Sequence, residues 1–194
     1  MYKRQPYAWR PDHFIKVLAD RKARGDKVWT SAYMITGGFS AGGESKEIII
    51  ARVLSQAYKN LRNTATAIAK GDSLAVAASK IVCPGIGSFL SAQIVADLKY
   101  DQHLIHAKDW NTWCSPGPGS TMGLNFLHGR DPGTSTTEER FMKEVHEVQA
   151  ILKKEVQFHL CAQNTQNCLC EFSKYVRAKH FGRRLKSQYR PYNG

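Results

Sequence analysis

The stretch SKIVCPGIGSFLSAQIVADLKY, residues 79–100, sets a Pro-Gly-x-Gly turn between two segments with helical apolar spacing. A first helix is expected over Leu74 to Val82, a turn at Cys83-Pro84-Gly85-Ile86-Gly87, and a second helix capped by Ser88 with Leu90, Ile94 and Leu98 on its apolar side. Glycines let a backbone come close to an anion, and a helix start offers unpaired N–H groups at the positive end of its dipole. Gly85, Ile86, Gly87 and Ser88 are therefore candidates for gripping a nucleic-acid phosphate. The plainer reading is a helical turn in which Gly is the stop signal and Pro the breaker. By itself the turn specifies no reaction.

Working outward, Asp12 is expected to cap a helix that runs through Arg24, with Phe14, Ile15 and Leu18 on one side and Gly25 as its stop. Ser45 to Lys70 reads as one long helix burying Ile48, Ile49, Val53, Leu54, Ala57, Tyr58 and Leu61, with Thr64 and Thr66 weakening its end. Gly38 to Gly43 has the interval of a phosphate loop, but Glu44-Ser45 stands where Lys-Ser/Thr is needed, so a P-loop nucleotide kinase is not expected. Downstream, DWNTWCSPGPGS at 109–120 carries too much Pro and Gly for regular structure and reads as a loop whose two tryptophans suit either stacking or core packing. Thr136 and Glu139 form a capping box for a helix whose buried set is Phe141, Val145, Val148, Leu152, Val156 and Leu160. Strand signal is weak, and best at Val28 to Met34. The chain reads as one all-α domain spanning residues 1–194.

Charge narrows the partners. The net charge is +12, and it is concentrated at the ends: residues 1–30 hold eight Lys and Arg against three Asp, residues 171–194 hold seven against one Glu, and the middle holds thirteen against twelve. A basic face of this kind favours nucleic acid through counterion release. No apolar run has the length of a membrane span and the N-terminus lacks a signal-peptide core, so a cytoplasmic location without membrane contact is expected. Five cysteines without a secretory signal argue for reduced thiols. The spacing of Cys161, Cys168 and Cys170 matches neither CxxC knuckles nor a four-cysteine cluster loop, and no metal or cofactor is expected.

The turn and the segment beyond it resemble the helix-hairpin-helix DNA glycosylase superfamily. There a catalytic Asp sits near the start of a helix beyond the hairpin, and Asp109 lies close to that interval. The resemblance implies an all-α, glycosylase-like helical domain. Bifunctional members carry a nucleophilic Lys just after the hairpin; Phe89 stands there in this chain, so no Schiff-base chemistry is expected.

Three ordered blocks are similar to the phage-encoded alpha-glutamyl/putrescinyl thymine pyrophosphorylases, or amino acid:DNA transferases, a helical family that also occurs as the helical part of 5-hydroxymethyluracil DNA kinases. They are GIGSFLSAQIVADLKY at 85–100, Pro116-Gly117-Pro118-Gly119-Ser120 with Gly123-Leu124-Asn125, and LCEFSKYVR at 169–177. Departures from the pattern are Ser173, where an acidic residue is common, and the segment Ile35 to Lys46, which lacks the family's aromatic-Asn-aromatic-Arg character. The resemblance implies replacement of the pyrophosphate of a pyrophosphorylated 5-hydroxymethyluracil in double-stranded DNA by a free amino acid or polyamine, with pyrophosphate as product.

Such chemistry needs a pocket for an everted base, donors or cations for the leaving group, and a carboxylate near the amine. Asp109 is the candidate catalytic carboxylate, or else a helix cap before Trp110. Glu171 and Lys174, also catalytic candidates, and Arg177 stand at i, i+3 and i+6, as a polar cluster or as exposed ion pairs. Gly117, Gly119 and Ser120 are candidates for cradling the diphosphate, or simply a rigid loop, and Asn125 joins the substrate-binding set. Gln93 and Asp97 sit one turn apart, able to read a base edge and orient a cation, or to face solvent. Two other functions stay open: a glycosylase that cuts the N-glycosidic bond with Asp109, and a non-catalytic DNA-binding module that recruits a base kinase.

Overall fold

The computed structural model describes residues 8–29 and 43–182, which hold eight helices and no strand. The all-α class is therefore confirmed. The chain falls into two compact units, Met1–Asp72 with Val76–Leu104, and Ser73–Ala75 with Ile105–Gly194.

In the first unit α1 (Pro11–Ala23) packs against α2 (Lys46–Lys59). Pro11 supplies the first helical position, where no N–H is required, and Asp12 lies inside the first turn rather than at the cap, which is Arg10. The end is as expected: Gly25 takes φ +85, which lets its N–H reach the Lys22 carbonyl (2.9 Å) and the Asp26 N–H reach that of Arg21 (3.0 Å). The single long helix expected over Ser45–Lys70 is two, α2 and α3 (Leu61–Lys70), parted at Asn60, which leaves helical geometry with ψ near 2. On α2 the expected burial holds at Ile49 and Val53 and fails at other positions. Glu47, Ile49, Ala51 and Val53 are buried, while Ile48, Leu54, Tyr58 and Leu61 face out. The buried Glu47 carboxylate keeps a partner, since Lys22 of α1 reaches it at 3.1 Å.

The second unit is built on α6 (Pro118–Leu127), α7 (Glu138–Glu155) and α8 (Ala162–Phe181), with α6 lying along α8. Its core joins Cys114, Leu124, Phe141, Val145, Ala162 and Leu169. Gly123 makes the α6–α8 approach possible, since a Cβ there would stand 2.3 Å from the Leu169 carbonyl oxygen. Helix α7 starts one residue later than expected, with Thr137 accepting from the Arg140 N–H, and it ends at Glu155 rather than reaching Leu160. Of the expected strand at 28–34, Val28 and Trp29 are described and are not strand; the rest, and the Gly-rich segment up to Gly42, lie outside the described residues. No helix among the described residues is long and apolar enough to cross a membrane.

A charged network ties α6 to α7. Asn125 donates to the carbonyls of Pro132 (3.3 Å) and Thr134 (2.8 Å) and accepts from Arg130 Nε (2.9 Å); Arg130 forks onto Glu144 at 2.6 and 2.7 Å, and Arg140 adds a third bond at 2.9 Å. The Arg130 fork, working against desolvation and helped by Arg140, holds the Glu144 carboxyl down at about 2. A folded-state value below the ordinary 4.5 stabilises the fold above pH 4.5, and that contribution, about 3 kcal/mol, is lost as pH falls toward 2. Urea unfolding of Glu144→Gln should accordingly show a deficit near pH 6 that closes near pH 2. A deficit independent of pH contradicts this assignment.

Candidate functional site

The expected turn is present between α4 (Leu74–Ile81) and α5 (Ser88–Leu98). Cys83 and Ile86 exchange backbone hydrogen bonds at 3.0 and 2.8 Å around Pro84 and Gly85, and Gly85 takes φ +90. Pro then Gly with positive φ is the sequence a type II turn requires. Gly87, not Ser88, is the N-cap of α5, and no side chain caps the helix. The N–H groups of its first turn are thus left to an outside acceptor. Gly87 itself has φ −78, and a Cβ there would meet nothing within 4 Å, so neither backbone strain nor internal packing requires glycine at this position. The buried positions of α5 are Ser91, Ala92 and Val95, one step round from the expected Leu90, Ile94 and Leu98. Gln93 is half-buried and Asp97 exposed.

Asp109 is half-buried in a turn where its carbonyl accepts from the Thr112 and Trp113 N–H groups. Its carboxylate accepts three hydrogen bonds at the start of α4: Ser73 Oγ at 2.8 Å, Leu74 N–H at 2.7 Å and Ala75 N–H at 3.0 Å. It caps a helix, as the alternative reading held, but the helix is α4 and not one of its own. The turn is pinned further by α7 and the start of α8: His146 Nε2 meets the Thr112 carbonyl at 2.7 Å, Gln149 donates to Asn111 O at 3.3 Å, and Ala162 N–H donates to Asn111 O at 2.8 Å.

Gly117 to Ser120 belong to the start of α6 rather than to a loop. Gly117 is the N-cap and Pro118 the first helical residue; the buried Ser120 hydroxyl accepts from the Gly117 N–H (3.2 Å) and from Gln166 Nε2 (3.2 Å), and donates to the Gly117 carbonyl (3.0 Å). A Cβ on Gly119 would stand 2.5 Å from Cys170 Sγ. The second and third sequence blocks therefore meet, with Gly119 against the residue that precedes Glu171. Glu171 and Lys174 form an exposed ion pair on α8, with Arg177 half-buried one turn on. Asn125 is spent on Arg130 and the carbonyls of Pro132 and Thr134. Gly85, Ile86, Gly87, Ser88, Gln93 and Asp97 belong to the first unit, and Asp109, Gly117, Gly119, Ser120, Asn125, Glu171, Lys174 and Arg177 to the second.

The cysteines do not converge. Cys161 is buried against Asn164 (2.7 Å), Cys168 is exposed, and burial pushes the Cys114 thiol up to about 12. Among the described residues no group of three His, Cys, Asp or Glu side chains is placed to hold a metal ion. Sequence reasoning missed Ser73 as Asp109's partner, although Ser before an apolar helical run is a cap signal. It also missed the pairing of Arg130 with Glu144, for which no local signal exists.

An all-helical chain with a Pro-Gly turn opening an uncapped helix defines the class, and comparison gives the family. The family model described as "5-hmdU DNA kinase, helical domain" matches residues 3–183, and the chain belongs to that family. No curated protein and no solved structure matches it.

The geometry makes Asp109 the anchor of α4. Asp109→Ala should lower unfolding stability by about 2 kcal/mol, and Asp109→Asn, which keeps one acceptor oxygen, by roughly half as much. Urea denaturation of both variants checks this, and an alanine variant as stable as the parent contradicts it.

Proposed function

We propose that this chain is a DNA-engaging domain of thymine modification that exchanges the pyrophosphate on a 5-hydroxymethyluracil base for an amine. The observation that carries the DNA contact is Gly87. Its glycine answers to no internal demand, and it opens a helix whose first N–H groups lack a capping side chain. Space beside such donors is what a phosphate oxygen needs. Family membership supplies the thymine setting, and the basic ends of the chain supply long-range attraction.

In this reading Gly85, Ile86, Gly87 and Ser88 hold a backbone phosphate while the modified base is turned out of the stack. Gln93 and Asp97 are the polar side chains of the same helix offered to the substrate. On α8, Lys174 and Arg177 attract the departing pyrophosphate and Glu171 receives the proton of the incoming amine. The C–O bond to pyrophosphate breaks with its electron pair leaving on oxygen, a C–N bond forms at the methylene, and the ammonium proton passes to carboxylate or solvent. Gly117, Gly119 and Ser120 shape the α6 start beside this cluster, and Asn125 braces the loop after α6. Asp109 acts as a positioning residue, because three donors already occupy its carboxylate.

That same occupancy favours a second reading, a DNA-binding module that works beside a base kinase. Duplex DNA carrying pyrophosphorylated 5-hydroxymethyluracil, incubated with the protein and a panel of amines, separates the two. The transferase releases pyrophosphate and adds the amine's mass to the base, and Lys174→Ala slows it about tenfold to a hundredfold with DNA affinity retained. Salt-sensitive binding without product supports the module, and abasic sites indicate a glycosylase; either result overturns the transferase.

A further inference from the structure

Helix α3 fully buries none of its residues: Thr64, Ala67 and Ile68 are half-buried and the rest, cations included, are exposed. The segment from Lys59, the last residue of α2, to Lys70, the last of α3, KNLRNTATAIAK, carries three cations and no acid, and the next acidic residue along the chain is Asp72. A helix kept in solution by charge ordinarily alternates signs at i, i+4 spacing; an all-cationic helix instead repels itself and suits a polyanion. Lys59, Arg62, Lys70 and Lys80 make no ion pair, and the Asn60 and Asn63 amides no hydrogen bond, among the described residues.

The arrangement of these groups is specific. Asn63, Thr64 and Ala67 fall on one face of α3 at i, i+1 and i+4, and Asn60 is the residue that precedes its first turn. Together with Lys80, on the last turn of α4, they line an open cleft of about 260 Å³. Thr64 Oγ1 donates to the Lys80 carbonyl at 3.1 Å, which fastens α3 beside the end of α4 that leads into Cys83 and the turn. All of these residues and the turn belong to the first unit.

We propose that α3 and Lys80 form a second DNA-contact surface next to the turn, with Lys59, Arg62 and Lys80 on backbone phosphates and the Asn60 and Asn63 amides on base edges in the neighbouring groove. Asn is suited to a base edge because its amide presents a donor and an acceptor together, as adenine does. The proposal rests on the reading that the Gly85–Ser88 turn binds duplex DNA, and its test keeps the two apart.

Anisotropy titration of a labelled duplex with the full chain, over a series of salt concentrations, is run for the parent, Lys80→Gln, Asn63→Ala and Gly87→Ala. These exposed positions leave the fold intact, which circular dichroism verifies. Lys80→Gln should weaken binding several-fold and make the log–log salt slope shallower by about one. Asn63→Ala should weaken binding about fivefold or more on some duplex sequences and little on others, with the salt slope unchanged. If Gly87→Ala weakens binding while Lys80→Gln and Asn63→Ala match the parent, the α3 surface is overturned and the turn stands. If the α3 variants weaken binding and Gly87→Ala does not, the α3 surface stands and the turn reading fails. A parent that binds no duplex, or that binds single-stranded RNA through Lys80 instead, overturns the α3 proposal.

Discussion

Where α4 begins is set by a carboxylate 35 residues further along the chain. Asp109 takes the N–H groups of Leu74 and Ala75 and the Ser73 hydroxyl, so two of the four unpaired donors at that helix start are satisfied from outside the helix. Each bond is charge-assisted, since the acceptor is an ion at the positive end of the helix dipole. Ser73, Leu74, Ala75 and Asp109 all count with the second unit, so this contact lies within it.

Local chemistry is legible in the sequence where it is self-contained. The Pro84-Gly85 turn, the Gly25 stop and the helices α1, α4, α5 and α7 depend on residues within a few positions of one another. The one-residue error at the α7 cap arises because Thr136 and Thr137 compete to accept the same orphan N–H groups, whereas α1 and α5 start from Arg10 and Gly87 with no capping side chain at all. Larger departures have distant causes. Glu47 is buried with Lys22 as its partner, and no apolar pattern on α2 reveals a cation on α1. Residues 117–120 read as loop because Pro and Gly end helices, yet Pro118 begins one, Gly119 admits Cys170, and Ser120 is satisfied by its own turn and Gln166.

The candidate site is legible in type more than in role. Several residues singled out for chemistry are used by the fold itself: Asp109 at α4, Ser120 at the α6 start, Asn125 in the Arg130–Glu144 network. Polar residues buried in a fold must be satisfied, and satisfaction by the protein's own donors is what separates a structural carboxylate from one kept for substrate. By that measure, groups with capacity to spare among the described residues include the N–H groups of the α5 start, the amides of Asn60 and Asn63, and the cations Lys59, Arg62 and Lys80. Each of these suits a polyanion, in keeping with the charge carried at both ends of the chain.

The central claim is that the open start of α5 holds a DNA phosphate. Amide resonances of the labelled protein, followed as duplex is added to saturation, report on it directly. The account predicts that the Gly87, Ser88 and Phe89 N–H signals shift and gain protection from exchange, while that of Gly129, in the second unit, stays in place. Saturated binding with the Gly87–Phe89 amides unmoved and still exchanging freely contradicts it.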